Sequence, residues 1–184
     1  MIDIEVFERH LTTKWVGRDC LLLEQTDSTN NYAKNPPRDL VHGSLILANY
    51  QLKGRGQSGK SWFGDAHKNL YFSIYTKPLR TEGLFLLSLI SAHSIIESIR
   101  SDNLAHPLMN QLKIKWPNDV YIGEHKIAGI LTENIFHGGF LKGSVIGTGW
   151  NIDQDHFPPN LKYRASSLRL LFPETWIREE LLAR

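Results

Sequence analysis

The segment LKIKWPNDVYIGEHKIAGILTENIFHGGFLKGSVIGT, residues 112–148, decides the fold. Four short runs rich in β-branched and aromatic residues, 112–116, 119–122, 126–135 and 140–148, are read as strands. Gly123-Glu124 and His137-Gly138-Gly139 between them are hairpin turns. Connections this short join antiparallel neighbours, because a parallel pair needs a crossover of a dozen or more residues.

Upstream, further strands are expected over 20–24, 44–50 and 69–76. Residues 3–11 form a short helix or an extended lead-in. A helix over 29–34 starts at Asp27 or Ser28 as N-cap and ends at Asn35-Pro36-Pro37. The longest helix is expected over 83–100, where Phe85, Leu89, Ala92, Ile96 and Ile99 form an apolar face with serines and Glu97 opposite. Loops over 101–111 and 154–163 and a last helix over 174–183 complete the chain. Strands outnumber helices and several are joined by turns. The expected class is α+β, a mixed and largely antiparallel sheet flanked by helices, and not a doubly wound parallel fold.

Composition limits the function classes. The 184 residues suit one domain with its own core, 1–184. A formal net charge of +2 excludes nucleic-acid binding by bulk charge. The single cysteine, Cys20, excludes an intrachain disulfide and a multi-cysteine zinc cage, and it fits a reducing compartment. The N-terminus has no signal-peptide pattern and no stretch approaches a membrane span, so a cytoplasmic protein is expected. The eight histidines are scattered without zinc-ligand spacing, so no metal site is assigned.

Four segments can carry chemistry. Residues 51–62, Gln51-Leu-Lys-Gly-Arg-Gly-Gln-Ser-Gly-Lys-Ser-Trp62, combine three glycines with Lys53, Arg55 and Lys60. Backbone amides and cations together suit a nucleotide phosphate, and a flexible basic surface loop has the same composition. The register is not that of a P-loop. In Lys113-Ile-Lys115-Trp116-Pro117-Asn118-Asp119, Lys115 ends a strand, where it either neutralises anions meeting at one point or snorkels from an edge. Asp27-Ser28-Thr29-Asn30 is a helix cap or a set of polar anchors for an uncharged ligand group. Gly147-Thr-Gly149-Trp-Asn151 ends an apolar strand, with small residues against which a ligand ring can lie.

Taken in order, Ser28-Thr29-Asn30, then Gln51 with Gly54-Arg55-Gly56-Gln57 and Trp62, then Lys115-Trp116-Pro117-Asn118-Asp119, Lys126-Ile-Ala-Gly129, and Gly147-x-Gly149-x-Asn151 resemble the catalytic domain of the biotin–protein ligases over about residues 20–170. The resemblance implies a fold like that of the class II aminoacyl-tRNA synthetases and biotin synthetases. It implies a ligase that joins biotin and ATP as biotinyl-5′-AMP, with Mg²⁺ assisting, and transfers biotin to a lysine of a carboxylase's biotin carrier domain. It assigns biotin to Ser28, Thr29, Asn30, Gln51, Gly54, Arg55, Gly56, Gln57, Lys115, Gly129, Gly147 and Gly149. It assigns ATP to Arg55, Gln57, Lys60, Trp62, Lys115, Asn118 and Asn151, with Lys115 and Arg55 as the catalytic cations.

Many members of that family carry arginine where Gln57 and Lys60 stand, so this loop is less basic. The resemblance admits a homodimer. It places no DNA-binding domain before the core, and it expects the small C-terminal β-barrel cap of the family to be absent or truncated here. Two alternatives stand beside it: a lipoate ligase or lipoyl transferase of the same fold, and a truncated biotin-binding module without transfer activity.

Overall fold

The structure is a computed structural model and describes residues 1–78, 81–102, 104–161 and 164–184. Its elements are α1 (Ile4–His10), β1 (Cys20–Leu23), α2 (Thr29–Lys34), β2 (Leu45–Ala48), β3 (Leu70–Thr76), α3 (Leu86–Arg100), β4 (Leu112–Lys115), β5 (Asp119–Ile122), β6 (His125–His137), β7 (Phe140–Trp150), α4 (Leu168–Leu171) and α5 (Arg178–Ala183). The seven strands form one sheet in the order β1-β2-β3-β7-β6-β5-β4. β1 and β2 run parallel across the α2 crossover, and every other pair is antiparallel. The sheet is therefore mixed and largely antiparallel, in an α+β fold, as the turns at 123–124 and 137–139 require.

The sheet has two unlike faces. On β7, Ile146 and Trp150 enter the main core with α1, α3 and α5, while Val145 enters a smaller core with Ala33 of α2, Leu40 and Ile46. Gly147 and Gly149 follow Val145 on that second side by the two-residue period of a strand. All four residues of β2 are buried, because helices cover both of its faces. No helix of the described residues is long and apolar enough to cross a membrane.

Several expected elements differ in detail. The lead-in is the helix α1, since the Asp3 carboxylate accepts from Glu5 N (2.9 Å) and Val6 N (3.2 Å). α3 begins at Leu86, and Phe85 is 70% exposed, outside the apolar face expected of it. Ser88 and Ser98 are buried in its place. Each hydroxyl finds a partner, Thr132 Oγ1 at 2.8 Å for Ser88 and the Leu181 carbonyl at 2.7 Å for Ser98, which offsets the cost of burying it.

The last helix starts at Arg178, not 174, because Trp176 is inserted into the core against Phe172. α4 was not expected; Ser167 caps it by accepting from Leu170 N at 3.2 Å. A single 3₁₀ turn, Pro107–Gln111, lies within the expected loop 101–111. Residue 103 of that loop and residues 162 and 163 of the loop 154–163 lie outside the described residues.

The core between α3 and the sheet carries much of the stability. Ile99 is fully buried there. Ile99→Ala is expected to cost about 2–5 kcal/mol, from lost transfer energy plus the cavity left behind. The result expected is a lower urea midpoint with an unchanged m-value.

Candidate functional site

The second face of the sheet carries a cavity of about 260 Å³, bounded by the start of α2, the glycine-rich loop, the β4–β5 turn, β6 and β7. One side is uncharged. Ser28, Thr29 and Asn30 are buried there. Ser28 is the N-cap of α2 by position, but its hydroxyl makes no cap bond. Gln51 caps the helix from outside instead: its Oε1 accepts from Thr29 N at 2.8 Å, with Thr29 Oγ1 at 3.2 Å. The Ser28 hydroxyl is thereby left to the cavity.

Ser73 Oγ on β3 lies 2.7 Å from Thr29 Oγ1 and 2.6 Å from Asn30 Oδ1. Asn30 Nδ2 donates to Leu131 O (3.1 Å) and Glu133 Oε2 (2.8 Å) on β6. A helix cap in the sequence is thus also one wall of a site, because α2 is tied to three other elements through its first turn.

The glycine-rich loop is folded on itself. Gly56 N donates to Lys60 O (2.7 Å) and Trp62 N to Gly54 O (2.8 Å), around a 3₁₀ turn over Gln57–Gly59 in which Ser58 and Gly59 have left-handed backbone. At Gly54 an added Cβ would lie 3.0 Å from the Trp62 carbonyl oxygen, so a side chain there would need the neighbouring strand of the loop to give by a few tenths of an ångström. Trp62 lies across Gly129 and Gly149, where an added methyl would strike its ring, and Asn30 lies over Gly147 in the same way. The small residues do admit close approach, as expected of them, but here the guests are the protein's own Asn30 and Trp62. The Trp62 Nε1 is buried without a hydrogen-bond partner among the described residues.

The other side of the cavity is cationic. Arg55 donates from Nη2 to Glu133 Oε2 at 2.7 Å. Lys115 ends β4, exposed, with its Nζ 5.0 Å from the centre of the Tyr121 ring. Lys126 on β6 is deeper: its side chain is 13% exposed, its Nζ lies 2.7 Å from Asp119 Oδ1, and it stands 5.3 Å from the centre of the Trp62 ring. Burial lowers the Lys126 ammonium below the usual lysine range, and the Lys60 and Lys115 charges add to that against the opposing Asp119. Burial pushes the Glu133 carboxyl up, but hydrogen bonds from Lys34 and Asn30, with the charges of Lys34 and Arg55, outweigh it and hold the group below its usual value.

Two expected site residues are not brought to the cavity. Gly54 sits behind the loop on the Trp62 backbone. Asn151 lies beyond the end of β7; its N–H donates to Ile127 O (2.8 Å) and its Nδ2 to Ser166 O (3.0 Å), while its Oδ1 is buried without a hydrogen-bond partner among the described residues. Asn118 lines the cavity but spends its amide on Ile130 O at 2.5 Å, tying the turn to β6. The other expected residues all line it.

Lys126, Asp119, Tyr121 and Glu133 carried no expected role. The hairpin turn at 123–124 is the signal that pairs 119 and 121 with 126 and 129 across β5 and β6. Two-residue alternation from Gly129 through Leu131 reaches Glu133. Cys20 is no nucleophile, since burial, with the nearby Glu8 and Asp19 charges, pushes its thiol up to about 12. An acidic group at Asp65, Asp155 and His156 already holds a cation of its own, Lys68 Nζ at 2.6 Å from Asp155 and 3.8 Å from Asp65.

The family model described as the biotin/lipoate A/B protein ligase family matches residues 22–151. The bifunctional ligase/repressor BirA of Escherichia coli is 33% identical over 140 residues, 74% of this chain and 41% of that protein. The biotin–[acetyl-CoA-carboxylase] ligase of Paracoccus denitrificans is 33% identical over 135 residues, 71% of this chain and 53% of that protein. A biotin protein ligase from Aquifex aeolicus, solved in complex with biotin and ATP, superposes with a TM-score of 0.75 at 31% identity, over 90% of this chain and 66% of that one. The chain thus spans about half or less of the length of these two curated relatives. With the ordered motifs on one cavity and this sheet order beneath them, the chain belongs to the biotin/lipoate A/B protein ligase family, its likeness being to the catalytic domain of the biotin–protein ligases.

Proposed function

We propose that the chain binds biotin and ATP, condenses them to biotinyl-5′-AMP, and passes the biotinyl group to a lysine of a carboxylase's biotin carrier domain in the cytoplasm. The observation that carries this reading is a single cavity with an uncharged polar end, Ser28, Thr29 and Gln51, and a cationic end, Arg55, Lys60, Lys115 and Lys126. A largely neutral ring with a carboxylate tail fits that polarity, and two anions can meet only where fixed positive charge receives them.

In the first step a biotin carboxylate oxygen attacks the α-phosphorus of ATP, the new P–O bond forms, and the bond to pyrophosphate breaks. The developing charge falls on the phosphoryl oxygens, so Lys126 and Lys115 act by holding positive charge there. In the second step the acceptor lysine's amine attacks the acyl carbon, AMP leaves, and the amine loses its proton. Neither step needs a nucleophile from the protein, which agrees with the half-buried Cys20 and its raised thiol. Mg²⁺ enters with ATP as part of the substrate complex. Trp62 rests on the two-glycine floor, so an incoming ring must stack on the indole or turn it aside.

The test is exchange of labelled pyrophosphate into ATP. The result expected is exchange that depends on biotin and is not supported by lipoate. No exchange at saturating biotin, ATP and Mg²⁺ would sink the reading, and lipoate-dependent exchange would transfer it to the lipoate branch. Transfer of labelled biotin to a carrier domain then separates the ligase from a module that only binds.

A further inference from the structure

Glu133 lies on β6, yet two segments far from it in sequence, α2 and the glycine-rich loop, converge on its carboxylate. Oε2 accepts from Asn30 Nδ2 at 2.8 Å and from Arg55 Nη2 at 2.7 Å, while Oε1 accepts from Lys34 Nζ at 2.8 Å. The carboxylate is 21% exposed and carries two cations, so it stays ionised on binding either one. Arg55 spends one N–H on Glu133 and is also among the residues that line the cavity.

Asn30 is the residue that fills the space over Gly147, and its Oδ1 is fixed by Ser73 Oγ at 2.6 Å. One carboxylate therefore sets two things at once: the position of the α2 amide at the uncharged end, and the position of the glycine-rich loop at the cationic end.

We propose that Glu133 is a positioning residue that couples the two ends of the site, docking the Arg55 loop onto the first turn of α2. The proposal rests on the biotin reading for its kinetic consequences, but the loop docking itself is a property of the chain without any ligand. Glu133 is not among the residues that line the cavity. Its loss should weaken ground state and transition state alike, which raises KM and leaves kcat nearly unchanged.

Hydrogen exchange of the unliganded protein over residues 51–62 reads the docking directly. Glu133→Gln keeps shape and removes charge. It is expected to speed exchange in that segment about tenfold, with the β3 and β7 amides unmoved, and to raise the KM for biotin about tenfold with kcat within about twofold. Arg55→Gln should speed the same segment by a similar factor. The double variant should exchange no faster than either single one, because both remove one pair. Lys34→Gln, which leaves the Arg55 pair in place, should not open the loop.

Unchanged exchange over 51–62 in Glu133→Gln would overturn the docking. Faster exchange with an unmoved KM would overturn the coupling to the α2 end. Should Glu133→Gln fail to fold, Arg55→Gln carries the test from the exposed partner, and an unmoved loop in that variant overturns the proposal. Failure of the whole protein to bind biotin would count against the biotin–ligase reading and leave the exchange result standing on its own.

Discussion

Lys126→Met should reduce biotin-dependent pyrophosphate exchange by two to three orders of magnitude, the loss typical of removing one preorganised charge donor from a reacting oxyanion. Lys115→Met should cost only about tenfold, because an exposed ammonium works in a high dielectric. The contrast follows from depth. Lys126 is 13% exposed and pinned by Asp119 at 2.7 Å, whereas Lys115 is exposed at the mouth.

Burial also lowers the Lys126 ammonium, so its proton is lost at a pH below the ordinary lysine value of 10.5. If the charged form does the work, exchange should fall on the alkaline side earlier than an unperturbed lysine would allow, and this limb should vanish in Lys126→Met. Single-turnover adenylate formation measured across pH checks both points. A larger loss in Lys115→Met than in Lys126→Met would reverse the assignment of the two lysines.

The second large effect is expected at Gly147. It pairs with Ser73 and Leu131 in the middle of the sheet, and it is not among the glycines with left-handed backbone, so the chain can carry a side chain there without backbone strain. What it cannot carry is the volume, because an added Cβ falls on the Asn30 amide. Gly147→Ala must displace Asn30 from Leu131 O and Glu133 at a buried site. Each group left unsatisfied costs about 1–3 kcal/mol. Biotin affinity should therefore drop by about a hundredfold or more, at about 1.4 kcal/mol per factor of ten.

Titration calorimetry measures the affinity, and near-UV circular dichroism checks that the sheet persists. Adding Asn30→Ala to Gly147→Ala relieves the overlap. Thermal stability should recover in that pair while biotin binding does not, since the amide itself is gone. Undiminished binding in Gly147→Ala would show that Asn30 has room to move without consequence.

The strands were legible for a local reason. In β6 and β7 the turns at 123–124 and 137–139 leave no alternative to antiparallel pairing, and the run Leu45–Ala48 is apolar throughout because it is covered on both faces. The ordered motifs were legible as well, since Ser28 to Asn30, the loop at 51–62 and Lys115 each keep their residues within a few positions of one another. Asn151 follows the glycines in sequence, yet it lies past the end of the strand whose alternation carries Gly147 and Gly149 to the cavity, and it is not among the lining residues. By pattern Ser88 and Ser98 fall on the outer face of α3, because a hydroxyl reads as polar until its hydrogen-bond partner is known.

The amino-acid sequence by itself determined the fold class, the places of the turns and most of the residue types gathered at the cavity, because periodicity and turn chemistry act over a few positions. Only the tertiary structure decided which of two lysines lies deep, that Gln51 caps a helix 22 residues away, and that Glu133 gathers Asn30, Lys34 and Arg55. Those facts depend on β7 lying between β3 and β6, an order set by how two unlike faces of one sheet bury their apolar sides. No local pattern encodes a distance across three strands.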